Sequence, residues 1–323
     1  MEFKASNVLV TGGCGFIGGH FIDFYARAHP DVDIVNVDAM YHAAREANVS
    51  DAVRASGRYK LVKGNTANLD LMKFVLAEYR IDTVVHFAAQ SHVDDSFEKS
   101  LRYTQDNVMG THNLLEACRQ HGRIKKFVHV STDEVYGESL LGAGEHRRTE
   151  ASVLNPTNPY AASKAAAEMY ANSYRHSFGL PVVIVRMNNV FGPRQHTEKL
   201  IPRFIALLAG GDKLTIQGSG LQVRSFVHVA DVARAFDLIV ARGAVGEIYN
   251  IGSDDEHSVL EIAQKLVDIQ FGSGEDLSSW VTHVADRPFN DTRYYISSRK
   301  LEKLGWKREV DMDSALAELI VDA

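Results

Sequence analysis

The feature that most constrains this chain is a glycine-rich segment near its start, TGGCGFIGG, which covers residues 11–19. The apolar run 7–11 before it predicts a buried strand, and residues 16–28 after it carry apolar side chains at helical spacing. In that context the glycines let the backbone turn sharply and approach a pyrophosphate, whose charge a helix N-terminus favours. An ordinary strand-to-helix turn is the alternative. We predict that a dinucleotide is bound by Gly12, Gly15, Phe16, Ile17 and Gly18.

The rest of the first half alternates short apolar runs with helical stretches. Strands are predicted over residues 34–37, 59–62, 83–87, 126–131 and 181–186, and helices over 69–79, 97–120 and 160–178. Apolar strands separated by helices indicate a parallel sheet with helices on both faces. The predicted fold class is α/β, a Rossmann-type doubly wound parallel sheet.

A smaller C-terminal domain is predicted after about residue 188, where the pattern loosens into helices over 201–209, 230–240, 260–271 and 312–321. We assign residues 1–187, with a return segment near 224–251, to the dinucleotide-binding domain. Residues 188–323 form the predicted substrate-binding domain. It would close over the carboxyl edge of the sheet, where doubly wound folds bind their ligands.

Composition excludes several classes of protein. A net charge of −6 over 323 residues argues against nucleic acid as the main partner, since phosphate binding needs a basic face. No apolar stretch approaches the ~18 residues that span a membrane, and no signal peptide is recognised. The two cysteines cannot form a disulfide framework, so a reducing cytoplasm is expected. The 14 histidines include no HExxH motif, and no metal site is expected.

Asp38 ends the second predicted strand, where a carboxylate can accept hydrogen bonds from both hydroxyls of an adenosine ribose. The same carboxylate would repel a 2′-phosphate. The sequence therefore predicts NAD rather than NADP, with a turn or helix-cap aspartate as the alternative.

The pattern YxxxK occurs twice. Tyr59 and Lys63 lie on or beside a strand and form a coincidental match. Tyr160 and Lys164 open a helix, one turn apart, and follow a strand that ends near Thr132. A free tyrosine has a pKa near ~10, and a nearby ammonium together with a positive nicotinamide ring would lower it towards working pH.

Asp133 and Glu134 place two adjacent carboxyl groups at the end of the same strand. Dehydrogenation alone needs no acids there. Dehydration needs an acid to protonate a leaving hydroxyl and a base to remove a carbon-bound proton. The alternative is a pair of solvated loop acids or a helix cap.

Five motifs, TGGCGFIGG, HFAAQSHVDDSF, STDEVYG, YAASK and NNVFGP, together resemble the extended short-chain dehydrogenase/reductase family. STDEVYG is similar to the same segment of nucleotide-sugar 4,6-dehydratases. The segment RPFNDTRY looks closer to the UDP-glucose 4,6-dehydratase part of eukaryotic rhamnose synthases than to bacterial dTDP-glucose enzymes. Two features depart from the pattern: the stretch AMYHAAREANV after Asp38 fits loosely, and Asn65 stands where an aspartate often contacts adenine.

The resemblance implies a UDP-glucose 4,6-dehydratase with NAD as cofactor. The implied reaction is oxidation at carbon 4, elimination of water across carbons 5 and 6, and hydride return to carbon 6. Tyr160 and Lys164 would serve the first step with Thr132, Glu134 would be the base at carbon 5, and Asp133 the acid at carbon 6. A homodimer is implied, built on a four-helix bundle of residues 97–120 and 160–178 from each copy.

The resemblance also implies further binding residues. Ala88 would complete the cofactor site. Arg224 would pair with the diphosphate, because a planar guanidinium suits bidentate phosphate contacts, and Arg293 is a second candidate. The remaining predicted substrate residues are Ser91, His92, Asn189, Glu198, Lys199, Asn250 and Arg287.

Other functions stay open at this point. One alternative is a dTDP-glucose 4,6-dehydratase, and another is a nucleotide-sugar 4-epimerase or decarboxylase of the same family. An epimerase needs no acid pair beside Thr132, so Asp133 and Glu134 weigh against it. A non-catalytic NAD-binding sensor is an alternative of another class, and it should lack the tyrosine, the lysine or the acids.

Overall fold

The computed structural model describes residues 3–142 and 144–321. Its strands are β1 (Asn7–Thr11), β2 (Asp33–Asp38), β3 (Tyr59–Lys63), β4 (Thr83–His86), β5 (Lys126–Val130), β6 (Val182–Met187), β7 (Asn189–Phe191), β8 (Leu214–Gln217), β9 (Val223–His228), β10 (Ile248–Ile251), β11 (Glu256–Ser258) and β12 (Val281–Val284).

The helices follow the strands in alternation through the first half of the chain. They are α1 (Phe16–Ala28), α2 (Asp51–Arg54), α3 (Leu69–Glu78), α4 (Val93–Glu98), α5 (Ser100–Tyr103), α6 (Gly110–His121), α7 (Pro159–Phe178), α8 (Leu200–Ala209), α9 (Val229–Arg242), α10 (Val259–Phe271), α11 (Leu277–Trp280), α12 (Arg299–Glu302) and α13 (Met312–Val321). Short 3₁₀ turns lie at Glu46–Asn48 and Asp133–Tyr136, and a π-helical segment at Thr104–Met109.

Seven of the strands in the described residues form one parallel sheet, in the order β10-β6-β5-β4-β1-β2-β3. Strand β1 pairs with β2 on one side and β4 on the other, so the chain reverses its direction of winding there. In open sheets of this kind ligands bind at that reversal, outside the carboxyl ends of the strands. The predicted Rossmann-type α/β fold is confirmed.

Alternating side chains along β1 send apolar groups to both faces of the sheet. Val8 and Val10 pack with helices α1 and α9, and Leu9 packs on the opposite face with α3, α6 and α7. Strands that are buried on both faces need apolar residues at every position, which explains the unbroken apolar runs in the sequence.

A third apolar core joins α8, α10 and α13 with β8 and the C-terminal part of the chain. Two small sheets, β11-β9-β7 and β12-β8, lie in the same half of the described residues. Strand β10 of the predicted return segment pairs with β6 in the large sheet. The domain boundary between residues 187 and 188 stays a prediction.

The predicted continuous helix over 97–120 is wrong in two places. Helix α4 ends at Glu98, and the backbone of Lys99 leaves the helical conformation. The π segment Thr104–Met109 then lies between α5 and α6. There Asn107 accepts from the amide of Gln90 at 2.7 Å and donates to its carbonyl at 3.0 Å. These contacts join residues 17 positions apart in the chain. The helical periodicity of the sequence cannot predict contacts of this kind.

No helix in the described part of the chain is both long and apolar enough to span a bilayer.

Candidate active site

A cavity of about 490 Å³ lies along the carboxyl edge of the large sheet. This volume is within the range of small-molecule and cofactor sites. Its wall includes all of the predicted cofactor residues: Gly12, Gly15, Phe16, Ile17, Gly18, Asp38, Ala88, Tyr160 and Lys164. The parallel sheet brings them together, because the loops after β1, β2, β4 and β5 all leave the same edge.

Glycine is required at two positions of the loop between β1 and α1. Gly12 has a φ of +72°, and a side chain there would come within 2.7 Å of the backbone of Ala88. A side chain at Gly18 would come within 2.5 Å of the Gly12 carbonyl oxygen. The loop thus presses against the end of β4 and leaves its outer side to the cavity, which fits a dinucleotide pyrophosphate.

Asp38 is buried at the end of β2 and faces the same cavity. Its carboxylate accepts from the amides of Cys14 at 2.9 Å and Met40 at 2.8 Å. Burial raises the pKa of Asp38, and these two amides oppose the rise. Two backbone donors hold the carboxylate in place, and its remaining lone pairs can accept from a ribose.

The second YxxxK pair lies in the first turns of α7, where Tyr160 and Lys164 are both buried. The Lys164 ammonium donates to the carbonyl of Val130 at 2.6 Å, and burial lowers the pKa of Lys164 to about 8. Burial, and after it the charge of Glu134, raises the pKa of Tyr160, while a hydrogen bond with Thr132 lowers it. In the protein alone the phenol is therefore neutral, and the lowered pKa with cofactor bound stays a prediction.

The first YxxxK pair has structural partners. Tyr59 and Lys63 lie on β3, where the Tyr59 hydroxyl accepts from Asn36 at 2.9 Å and the Lys63 ammonium pairs with Glu46 at 2.7 Å. Neither residue belongs to the cavity wall. The interpretation of this match as a coincidence is confirmed.

Asp133 begins the 3₁₀ turn after β5 and is 2% exposed. Its carboxyl group accepts from the Asn188 side-chain amide at 2.6 Å and from the Thr132 hydroxyl at 3.1 Å. Burial, with a smaller effect from the charge of Glu134, raises the pKa of Asp133 to about 7. A carboxyl group with this pKa carries its proton for a large fraction of the time near neutral pH.

Glu134 lies beside it on the cavity wall. Its Oε2 accepts from the Asn158 amide at 2.9 Å and lies 3.3 Å from the Tyr294 hydroxyl. That hydroxyl donates to Asp291 at 2.5 Å. Burial raises the pKa of Glu134, against the opposing effects of Asn158 and Arg224.

Sequence reasoning missed Asn158, Asn188, Asp291 and Tyr294. Asp291 and Tyr294 lie in RPFNDTRY, the segment that also contains the predicted residues Arg287 and Arg293. An isolated bridge pairs Arg293 with Val223, so the backbone is extended there and neighbouring side chains point in opposite directions. This alternation could have pointed to Tyr294 had the segment been recognised as extended.

Most of the predicted substrate residues line the cavity as well: Ser91, His92, Asn189, Glu198, Lys199, Arg224 and Arg287. The Arg224 guanidinium donates to Asn290 at 3.1 Å and lies 4.8 Å from the centre of the Tyr294 ring. Lys199 donates to the carbonyl of Ser91 at 2.7 Å. These cations stand on the same wall as the carboxyl pair, where a sugar diphosphate would need them.

The structure does not bring Asn250 and Arg293 to the cavity wall. The Asn250 side chain is buried and binds Tyr136 and the carbonyl of Ser297, at 2.9 Å and 3.2 Å. Arg293 forms a two-pronged ion pair with Glu256. Both residues are engaged in holding the protein together.

Comparison with known proteins places these residues in context. The model of the GDP-mannose 4,6 dehydratase family matches residues 9–319. The chain is 45% identical over 316 residues to the trifunctional UDP-glucose 4,6-dehydratase/UDP-4-keto-6-deoxy-D-glucose 3,5-epimerase/UDP-4-keto-L-rhamnose-reductase of Arabidopsis thaliana. That match covers 97% of this chain but only 46% of the plant protein.

Two further proteins are similar over most of both chains. The dTDP-D-glucose 4,6-dehydratase of Mus musculus is 44% identical, with 98% of this chain and 88% of the mouse protein covered. The crystal structure of DesIV, a dTDP-glucose 4,6-dehydratase from Streptomyces venezuelae with NAD bound, superposes with a TM-score of 0.90 at 40% identity. That superposition covers 98% of this chain and 96% of DesIV.

The raised pKa of Asp133 predicts a pH dependence of stability. The unfolded carboxyl group loses its proton near its ordinary pKa of 3.8, whereas the folded one keeps it up to about pH 7. The folded state therefore binds more protons between these values, and this group makes the free energy of unfolding fall as pH rises through that window. We expect Asp133→Asn to reduce the fall between pH 5 and pH 8, as measured by urea unfolding. Asp212→Asn, which removes an exposed carboxyl group, is the control. An equal fall in wild type and Asp133→Asn would contradict the prediction.

Proposed function

The chain belongs to the GDP-mannose 4,6 dehydratase family, and we propose that it is an NAD-dependent nucleotide-sugar 4,6-dehydratase that converts UDP-glucose to UDP-4-keto-6-deoxyglucose. The observation that carries this proposal is the adjacent pair of buried Asp133 and half-buried Glu134 on one cavity wall with Tyr160 and Lys164. An acid and a base beside a tyrosine–lysine pair are what elimination of water from an oxidised sugar requires.

The residues around the glycine loop would hold the cofactor. Gly12 and Gly18 leave space that a side chain would fill, and Asp38 stands at the end of β2 for the ribose. When bound, NAD supplies the acceptor, and later the donor, of the hydride that moves between carbons 4 and 6 of the sugar. Lys164, fixed to the carbonyl of Val130, would hold its charge beside the tyrosine and the nicotinamide ribose.

Proton transfer is divided among three side chains. Tyr160 takes the proton of the carbon-4 hydroxyl, with Thr132 bonded to the same hydroxyl. The ketone so formed acidifies carbon 5, and Glu134 removes the proton there. Asp133 gives its proton to the leaving hydroxyl of carbon 6, and a pKa of about 7 suits that role near neutral pH. Glu134 then returns a proton to carbon 5.

The choice of nucleotide rests on a narrower observation. The plant relative is named for UDP-glucose and the mouse relative for dTDP-glucose, at nearly equal identity. We propose UDP-glucose because RPFNDTRY resembles the plant type more closely, and on the same ground we place the product in rhamnose biosynthesis. The chain spans 46% of the length of that plant relative.

A homodimer in the cytoplasm is the proposed state of the enzyme. Leu101, Met109 and Met169 are exposed by 84%, 45% and 52%. They lie on α5, the π segment and α7, which pack against one another. A second copy that covers these side chains would bury apolar surface.

The free thiols of Cys14 and Cys118 fit a reducing compartment.

The base assigned to carbon 5 gives the most direct test. We expect Glu134→Gln to bind NAD and form NADH from UDP-glucose, because the groups of the first step remain. Formation of the 6-deoxy product should fall by about 10²–10⁴-fold, as is usual when a general base is removed. Tyr160→Phe should form no NADH, and Glu98→Gln, at an exposed position, is the matched control. Absorbance of NADH and mass spectrometry of the sugar separate the two steps.

Solvent deuterium provides a second readout of the same step. Wild-type product formed in deuterated water should carry deuterium at carbon 5, while the hydrogen from carbon 4 reappears at carbon 6. Normal turnover by Glu134→Gln, or a carbon 5 without deuterium, would contradict the dehydratase and favour a 4-epimerase.

The preference for the uridine or the thymidine nucleotide can be measured with both substrates side by side. UDP-glucose differs from dTDP-glucose by a ring methyl group and a ribose 2′-hydroxyl, and one methyl group is worth roughly 1–3 kcal/mol in discrimination. We expect kcat/KM to be higher for UDP-glucose, and dUDP-glucose separates the two contributions. A value about tenfold or more higher for dTDP-glucose would overturn the assignment.

The dimer is tested by light scattering on the purified chain. We expect a mass of twice 35.8 kDa at micromolar concentration. Met169→Glu should shift the protein to the monomer by burying an unpaired charge in the interface. Phe74→Glu, at a position on α3 that is 58% exposed, is the control and should leave the mass unchanged. A wild-type monomer would refute the proposal.

A further inference from the structure

A cluster of two histidines and a glutamate lies on the cavity wall and takes no part in the proton transfers proposed above. His42 belongs to the loop after β2, whereas His196 and Glu198 belong to the segment between β7 and α8. One ring nitrogen of each histidine and one carboxylate oxygen of Glu198 all lie within 4.8 Å of one another.

The distances suit a common ligand. His42 Nε2 is 2.9 Å and His196 Nδ1 is 3.6 Å from Glu198 Oε2, and the two imidazole rings are nearly perpendicular. Zinc binds nitrogen and carboxylate oxygen at about 2.0–2.2 Å, so tetrahedral ligand atoms lie about 3.3–3.6 Å apart. Small movements of the side chains would bring the three atoms to that spacing.

The cluster is open to an ion from solvent. The His42 side chain is 57% exposed, and the side chains of His196 and Glu198 are 26% and 18% exposed. The ammonium of the adjacent Lys199 is bonded to the carbonyl of Ser91. Three protein ligands would leave a fourth position for water.

The cluster does not follow from the resemblance to dehydratases. His42 lies in AMYHAAREANV, the stretch that fits the dehydratase pattern loosely. The other two ligands follow more than 150 positions later, as the 156-residue separation of His42 and Glu198 shows. A search for closely spaced metal motifs could not detect the site, and for that reason no metal was expected from the sequence.

We propose that His42, His196 and Glu198 bind one divalent transition-metal ion of the zinc type. Two imidazoles and a carboxylate favour zinc, cobalt or nickel over magnesium and calcium, which prefer oxygen ligands alone. The ion ties the loop after β2 to the segment before α8. Because both segments line one cavity, the ion links its two sides.

The test measures metal binding directly, in the full chain after treatment with EDTA. Calorimetric titration with zinc chloride should give one site per chain, and cobalt should give the strong visible absorption of a tetrahedral complex. His42→Ala, His196→Ala and Glu198→Gln should each weaken zinc binding by about tenfold or more, which is about 1.4 kcal/mol. His283→Ala, at an exposed histidine on β12, is the matched control and should bind zinc as wild type does.

Three results would overturn the proposal. They are the absence of saturable zinc binding, binding that all three ligand variants retain, and binding that depends equally on His283. Retained affinity in His42→Ala alone would refute the link between the two segments. None of these measurements uses turnover, so their failure is distinguishable from failure of the proposed dehydratase activity.

Discussion

Withdrawal of two adjacent carboxyl groups from water, Asp133 fully and Glu134 in part, is the constraint on which the rest of this site depends. Asp133 and Glu134 begin the 3₁₀ turn after β5, and the side chain of Thr132 caps that turn. Taking a carboxylate out of water is costly, and two neighbouring charges increase the cost. The protein offsets part of that cost with the side-chain amides of Asn188 and Asn158, one for each acid. The remaining imbalance leaves the pKa of Asp133 at about 7.

The sheet decides which groups meet these acids. Because β1 lies between β2 and β4, the glycine loop after β1 stands at the reversal, with Asp38 on one side of it and Ala88 on the other. Strand β5 follows β4 in the sheet and carries the acids at the same edge. Helix α7 carries Tyr160 and Lys164 in its first turns and places both on the same cavity wall. One cavity thus receives groups that are far apart in the chain.

The sequence was sufficient for the parts of this arrangement that local pattern encodes. The glycine loop, the strand ends and the helical spacing of Tyr160 and Lys164 can each be recognised from a few consecutive residues. The structure places all of them on the cavity wall. Asn250 and Arg293 were placed by resemblance alone, and the structure gives them other partners. Their positions depend on which side of an extended backbone faces the cavity, and this can be known only after the strand pairing.

The groups that support the acids were beyond sequence reasoning for a related reason. Asn188 and Asp133 are 55 positions apart, and Tyr294 and Glu134 are 160 apart. No periodicity links residues at such distances. The π segment Thr104–Met109 could not be predicted for the same reason, because its residue Asn107 is hydrogen-bonded to the Gln90 backbone. From the sequence, a polar loop residue that supports the acids cannot be distinguished from any other polar loop residue.

The hydrogen-bond network around Glu134 shows how contacts between distant residues affect the pKa of an acid. Tyr294 has one hydroxyl proton, and its 2.5 Å bond to Asp291 takes it. Asp291 is held in turn by the Thr157 hydroxyl at 2.7 Å. The Tyr294 hydroxyl also lies 3.3 Å from Glu134 Oε2, a longer contact that shares the same donor. The Asn158 amide donates to the same carboxyl oxygen and favours the ionised form. Of the two contacts to this oxygen the Asn158 amide is the shorter, and it opposes the rise in the pKa of Glu134 that burial causes.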